Sequence, residues 1–193
     1  MKENAVPKIL ITGFKPFLGA DSNPSEYLSI ELSSRFSEVD SLILPVEFVK
    51  AFEVLSENLQ NREYDFVLML GLATGRKKIG FEKIGLNWVQ SEHRDESGFL
   101  PKTGQIQSDA PLALMSQVSV DEIFTALKTE NHPVEISFSA GTYVCNDLYF
   151  RVLNKFPDLK AVFIHVPSVQ EMEMSQQQEI LTRIVELISK TRI

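Results

Sequence analysis

Two side chains in this sequence are suited to nucleophilic chemistry carried out jointly. Cys145 is the single cysteine of the 193 residues, and His165 is one of three histidines. A thiolate is the reactive form of cysteine, and an imidazole is the usual base that generates it. Cys145 lies in Ser139-Ala-Gly-Thr-Tyr-Val-Cys145-Asn146. A β-like run, Val134–Ser139, precedes it. A helix-like run, Asp147–Phe156, follows, in which Leu148, Val152 and Phe156 repeat every four residues. The cysteine therefore stands at the start of a helix, where free N–H groups and the helix dipole favour a thiolate. The competing reading is an inert, buried small residue, a common fate of a lone cysteine. His165 closes the apolar run Lys160–Pro167. In open α/β sheets, sites form outside the carboxyl ends of the strands. A lone histidine after a strand is commonly structural, but a cysteine and a histidine at one sheet edge point to Cys–His catalysis.

A third group enters through Glu82. It lies in Ile79-Gly-Phe-Glu-Lys-Ile-Gly-Leu-Asn-Trp88, where Ile84, Leu86 and Trp88 alternate as in one strand. Glu82 shares their parity, so it faces the same side unless Gly80 or Gly85 bulges the strand. A carboxylate on a buried side is paired or functional. The alternative is a frayed strand end with Glu82 in water.

The elements that must position these groups follow from periodicity. Lys8–Thr12 is a short strand that meets Gly13. A helix follows Asn23-Pro24-Ser25, with Asn23 as cap and Pro24 at its first position. Ser41–Val46 reads as a second strand. Val49, Phe52, Leu55 and Leu59 mark an amphipathic helix, and Asp65–Leu70 is an apolar run of the kind buried on both faces. A helix over 120–127 and a closing helix over 176–190, with Ile180, Ile184, Leu187 and Ile188 on one face, complete the pattern. Strands alternating with helices predict an α/β chain, a three-layer α/β/α sandwich with a mostly parallel, mixed sheet, in one domain spanning 1–193. Residues 90–111 are polar and aperiodic, and a loop of that length in a compact domain is usually disordered or functional. The loop after Gly13 carries Phe14 and Phe17. They read either as core anchors beneath the loop or as an apolar ligand wall, and the loop alone favours anchors.

Composition excludes several classes. One cysteine rules out an internal disulfide framework and a Cys-rich zinc site, and suits a reducing compartment. A net charge of −7 and the lack of any basic cluster beyond Arg76-Lys77-Lys78 argue against a nucleic-acid surface. No stretch has the length of a membrane span or a signal-peptide core, which places the chain in the cytoplasm. The glycine loop 71–75 lacks both phosphate-binding spacings.

Taken together, four stretches resemble the type I pyroglutamyl peptidases, cysteine peptidases that remove an N-terminal pyroglutamyl residue. They are Thr12-Gly-Phe-Lys-Pro-Phe17 with Asn23-Pro24, Gly71-Leu-Ala-Thr-Gly-Arg76 with Glu82, Ser139–Asn146, and Phe163-Ile-His165-Val-Pro167. The resemblance runs from Ile9 to about Pro167, and the nucleophile stretch is its most specific part. It implies a Cys145–His165–Glu82 triad without metal or cofactor, and a lactam pocket drawn from Phe14, Phe17, Asn23, Leu72 and Val144. That reverses the anchor reading of the two phenylalanines. It also implies peptides with N-terminal pyroglutamate as partners and a homo-oligomeric assembly. Three departures stand out. Leu18 replaces a glycine of the family's Pro-Phe-Gly-Gly. Ser91-Glu-His-Arg-Asp-Glu96 replaces Ala-Arg-Ile-Pro-Asp-Asn, so Glu92 stands at the arginine position and Arg94 can replace it only if the loop shifts. Ser168-Val-Gln170 replaces Tyr-x-Pro. These changes keep open a hydrolase of shifted lactam or amide specificity, and a binding protein on the same fold.

Overall fold

The computed structural model describes residues 6–190. The chain runs β1 (Ile9–Phe14), α1 (Pro24–Arg35), β2 (Val39–Leu44), α2 (Lys50–Asn61), β3 (Phe66–Leu72), β4 (Ile79–Glu82), β5 (Ile84–Leu86), β6 (Ala113–Met115), α3 (Val120–Thr129), β7 (Val134–Ser137), α4 (Val144–Lys155), β8 (Lys160–Val166) and α5 (Met174–Ser189). The main sheet has the order β2-β1-β3-β8-β4-β7. Strands β1, β2, β3 and β8 are mutually parallel, while β4 pairs antiparallel with β8 and parallel with β7. The predicted mixed α/β architecture is what the chain adopts. No helix among the described residues is long and apolar enough to cross a membrane.

Alternation along the central strands sorts the core into two layers. Phe66, Leu68 and Leu70 of β3, with Val162, Ile164 and Val166 of β8, pack against α1, α3 and α5. Val67 and Met69, with Ala161 and Phe163, pack against α2 and α4. Parity then fixes the site: His165 follows Phe163 by two residues and so projects toward α2 and α4. Gly71 is its register partner on β3.

Several boundaries differ from expectation. β2 spans 39–44 rather than 41–46, and the third helix extends to Thr129. Val49 is not part of the helical stripe. It is the residue before α2, with φ 61°, and is held there by its N–H donating to Asp147 Oδ2 at 3.1 Å. The run 79–88 is two strands. β4 ends at Glu82, Lys83 turns out of the ladder, and β5 pairs with β6 in a separate two-stranded sheet. The stretch 90–111 is held by long-range contacts: Val89 and Gly104 exchange backbone hydrogen bonds, and buried Asn87 accepts from Gln107 N–H and donates to the carbonyls of Gln107 and Ala110.

α4 ties these pieces together. Asn146, fully buried, accepts from the Leu86 N–H and donates to the carbonyls of Leu86 and Trp88, each at 2.9 Å. Gly85 permits the close approach, because a Cβ there would lie 3.1 Å from Phe150 Cα. Replacing Asn146 by alanine strands three backbone groups at this joint. The expected loss is about 2–3 kcal/mol, read from urea unfolding of both proteins.

Candidate active site

The site lies outside the carboxyl ends of β1, β3 and β8, on the α2/α4 side of the sheet. Because β4 and β7 run the other way, Cys145 does not sit at the carboxyl edge of its own preceding strand. The segment 138–143 carries the chain from β7 to the start of α4, and Cys145 occupies the first turn of that helix. Its sulfur lies against Gly71. A Cβ on Gly71 would come 3.1 Å from Cys145 Sγ and 2.7 Å from the Phe163 ring, so both close packings require glycine.

Glu82 reaches the same region through strand register. On β4 it stands opposite Phe163 of β8, and Gly80 stands opposite His165. Residues two apart share a face, so Glu82 is the diagonal neighbour of His165. His165 Nδ1 lies 2.8 Å from Glu82 Oε1. Glu82 is wholly buried and His165 is 5% exposed. The parity with Ile84, Leu86 and Trp88 is coincidental, since the strand breaks at Lys83 and Trp88 is exposed. The β4–β8 pairing buries Glu82. Its main chain is also fixed: buried Tyr149 of α4 donates its hydroxyl to the Glu82 carbonyl at 2.8 Å.

Cys145 and His165 open onto one cavity of about 400 Å³. All five residues expected as pocket walls line it: Phe14, Phe17, Asn23, Leu72 and Val144. Phe14 is 3% exposed within the core and also borders the cavity. Asn23 caps α1 through the Ser25 N–H and spends an amide hydrogen on the Lys15 carbonyl, which holds the 14–25 loop in place. Leu18 accepts a left-handed backbone (φ 53°) and turns its side chain into solvent, which accommodates it at a position that favours glycine. Val46, Arg76 and Tyr143 also border the cavity and were not expected. In the sequence Arg76 stands out only as the end of the Gly71–Arg76 stretch and the start of the basic run 76–78.

Electrostatics bear on the resting state of the pair. Burial pushes the Cys145 thiol up to about 12, and the Glu82 carboxylate adds to the rise; the backbone N–H of Cys145 and the Arg76 guanidinium act in the other direction. Burial also lowers His165 below the ordinary histidine value, despite the pull of Glu82. Both shifts favour the neutral forms, so burial acts on the thiol against the N-terminus of α4.

The 90s segment does not border the cavity itself; it packs behind residues that do, Val46 and Tyr143 among them. Buried Asp95 accepts from the N–H groups of Phe48, Ser97 and Phe99 and from Ser97 Oγ. Glu96 N–H donates to the Val46 carbonyl, Glu96 Oε1 accepts from Leu18 N–H, and Tyr143 donates its hydroxyl to the Arg94 carbonyl. Arg94 itself folds back onto the Gly98 carbonyl, so it does not replace the missing arginine. Neither Glu92 nor Arg94 borders the cavity. Burial works to raise the Asp95 pKa, but its four donors outweigh it and hold the carboxyl below the usual range.

Comparison with known proteins agrees with this geometry. A family model described as pyroglutamyl peptidase matches residues 7–187. The chain belongs to the pyroglutamyl peptidase family. It is 36% identical to a pyrrolidone-carboxylate peptidase of Halalkalibacterium halodurans, over 93% of this chain and 96% of that one. It is 37% identical to that of Thermosipho melanesiensis, over 83% and 82%. Among solved structures, the pyrrolidone carboxyl peptidase of Fervidobacterium islandicum superposes with a TM-score of 0.89 at 30% identity, covering 97% of this chain and all of that one. The pyroglutamyl peptidase I of Bacillus amyloliquefaciens gives 0.86 at 25% identity, covering 97% of each.

Two outcomes follow for this pyroglutamyl peptidase family member. The rate of Cys145 alkylation by iodoacetamide in the free protein should keep climbing past about pH 9, because thiolate forms only there. A plateau reached on the acid side of neutrality would instead reveal a resting thiolate–imidazolium pair. Asp95→Asn should cost about 2 kcal/mol at neutral pH. A carboxyl with a lowered folded pKa gives stability that is complete above its ordinary value, near 3.8. That stability fades as the pH falls through the lowered folded value. The gap between the two proteins in chemical unfolding should therefore narrow below about pH 4.

Proposed function

We propose that this chain is a cysteine peptidase that hydrolyses the amide bond following an N-terminal pyroglutamyl residue, with Cys145, His165 and Glu82 as its reacting set. One observation carries the reading: a buried Glu82–His165 contact of 2.8 Å and the single cysteine converge on one aromatic-walled cavity. With Nδ1–H donated to Glu82, the His165 Nε2 lone pair is free to act as base. Cys145 Sγ attacks the pyroglutamyl carbonyl carbon while its proton passes to Nε2. The developing oxyanion is met by the free N–H groups of the first turn of α4, including that of Cys145. Collapse breaks the C–N bond, and the departing amine takes the proton from His165. Water then attacks the thioester, gives its proton to His165, and the thiol regains it as pyroglutamate leaves.

A neutral thiol at rest suits this sequence. The proton moves only when a carbonyl is present to accept the sulfur. His165 must be unprotonated to act, and its lowered pKa keeps it so well into mildly acidic solution.

The pocket walls explain the selectivity. Phe14, Phe17, Val46, Leu72 and Val144 offer a flat, apolar slot suited to a neutral lactam. A charged α-amine entering it would lose its hydration with little repayment. A reactive thiol without a resolving partner fits a reducing compartment, the cytoplasm.

The test is release of a fluorescent amine from pyroglutamyl aminomethylcoumarin amide by wild type and Cys145→Ser. Wild type should turn over, the variant should lose roughly 10⁴-fold or more, and the corresponding prolyl amide should be slower by roughly a hundredfold. An inert wild type whose thiol still alkylates would move the substrate to another N-capped amide.

A further inference from the structure

Arg76 is the charged residue of the site with no role in the mechanism above. Its Nη1 lies 2.8 Å from Glu82 Oε1, the same oxygen that meets His165 Nδ1. Nη1 is buried and makes no aligned hydrogen bond, so the contact is charge against charge. Nη2 reaches Ser137 Oγ and the Ser139 carbonyl, both at 3.4 Å, on the segment that leads into the nucleophile helix. The space the guanidinium fills is reserved for it: a Cβ on Gly80 would stand 2.5 Å from Nη1. Glu82 Oε2 is buried with no hydrogen-bond donor among the described residues. An ionised carboxylate in that setting is costly unless a cation stands beside it.

We propose that Arg76 is a positioning residue for the proposed reaction: it holds Glu82 in place, so that His165 is fixed with Nδ1 as donor and Nε2 turned to Cys145. This rests on the reading of Cys145 and His165 as the reacting pair. The groups facing the guanidinium and the imidazole are Glu82 from β4, Glu135 from β7, whose Oε1 is 4.0 Å from Nη1, Cys145 from α4, and His165 from β8. Arg76 is the permanent cation of this set. Without it, the Glu82–His165 pair binds a proton more readily, and the base form of His165 is lost at a higher pH.

The test uses Arg76→Gln and Arg76→Lys in the full chain, with two readouts. The first is the titration of the His165 ring by NMR in the ligand-free protein, its signal identified by absence in His165→Asn. The second is the pH profile of kcat/KM on the pyroglutamyl amide. In Arg76→Gln the His165 midpoint should rise by about one pH unit. The loss of kcat/KM should then be up to about tenfold greater at about pH 5.5 than at about pH 8. Arg76→Lys should restore part of both, since it returns charge without the planar fork. Gly80→Ala, which crowds the guanidinium off Glu82 while keeping the charge on the chain, should shift both readouts in the same direction and serves if Arg76→Gln does not fold. An unmoved midpoint together with a profile parallel to wild type overturns the proposal. A wild type that leaves the pyroglutamyl amide intact, with a midpoint that still rises in Arg76→Gln, overturns the proposed substrate and leaves the role of Arg76 standing.

Discussion

One buried contact sets the terms for the rest of the molecule: Glu82 Oε1 against His165 Nδ1. A carboxylate with no exposure belongs in a protein core only when partners repay its lost hydration. Here those partners are an imidazole from β8 and a guanidinium from the β3–β4 loop. Their meeting depends on β4 running against β8, so that Glu82 falls diagonal to His165 on the helix-covered side. The same demand explains why β4 stops at Glu82. The Lys83 N–H turns to the Ser137 carbonyl, the Lys83 carbonyl accepts from the Ser116 N–H, and the chain leaves the main sheet for the small one. The sheet break is part of what lets a short strand present one acidic residue without a longer buried edge behind it.

α4 is the second organising element, because successive side chains along it serve different joints. Cys145 faces Gly71, Asn146 clasps β5, Asp147 steadies the strained turn at Val49 while pairing with Arg151, and Tyr149 holds the Glu82 carbonyl. Cys145 and Glu82 are thus referred to one rigid body, which limits their relative motion. Burial has an electrostatic consequence as well. It raises the proton affinity of the thiol and so works against the helix dipole at the same atom.

Much of this was legible in the chain itself. The apolar runs of β3 and β8, the cap at Asn23 and the stripe of α5 carry strong periodic signals, and those elements appear within a few residues of their expected places. The strand-end argument places His165 correctly, whereas Cys145 reaches the same edge through segment 138–143, because β7 runs opposite to β8. What escaped the sequence has common physical causes. β6 is three residues long with two of them exposed, so alternation had nothing to register. The break at Lys83 is set by partners more than thirty residues away. Val49 and Leu18 hold left-handed backbones that their residue types disfavour, through contacts to Asp147 and Glu96. Asp95 acts through main-chain donors, which leave no pattern in side-chain identity. Arg76 was not singled out as a pocket residue, because the pocket it enters exists only after folding.

The segment built around Asp95 also bears on how this chain can change over time. It is joined to Leu18, Val46 and Phe48 by main-chain groups and the carboxylates of Asp95 and Glu96, and its further cross-link, from Tyr143, lands on the carbonyl of Arg94. The side chains of Glu92 and Arg94 take no part in bordering the cavity. Substitution at those two positions can drift without moving the pocket, whereas Asp95 cannot. At Glu92 and Arg94 the departure falls where the fold is indifferent to it and can alter surface character alone, whereas at Glu96 it supplies a contact that the Leu18 turn uses.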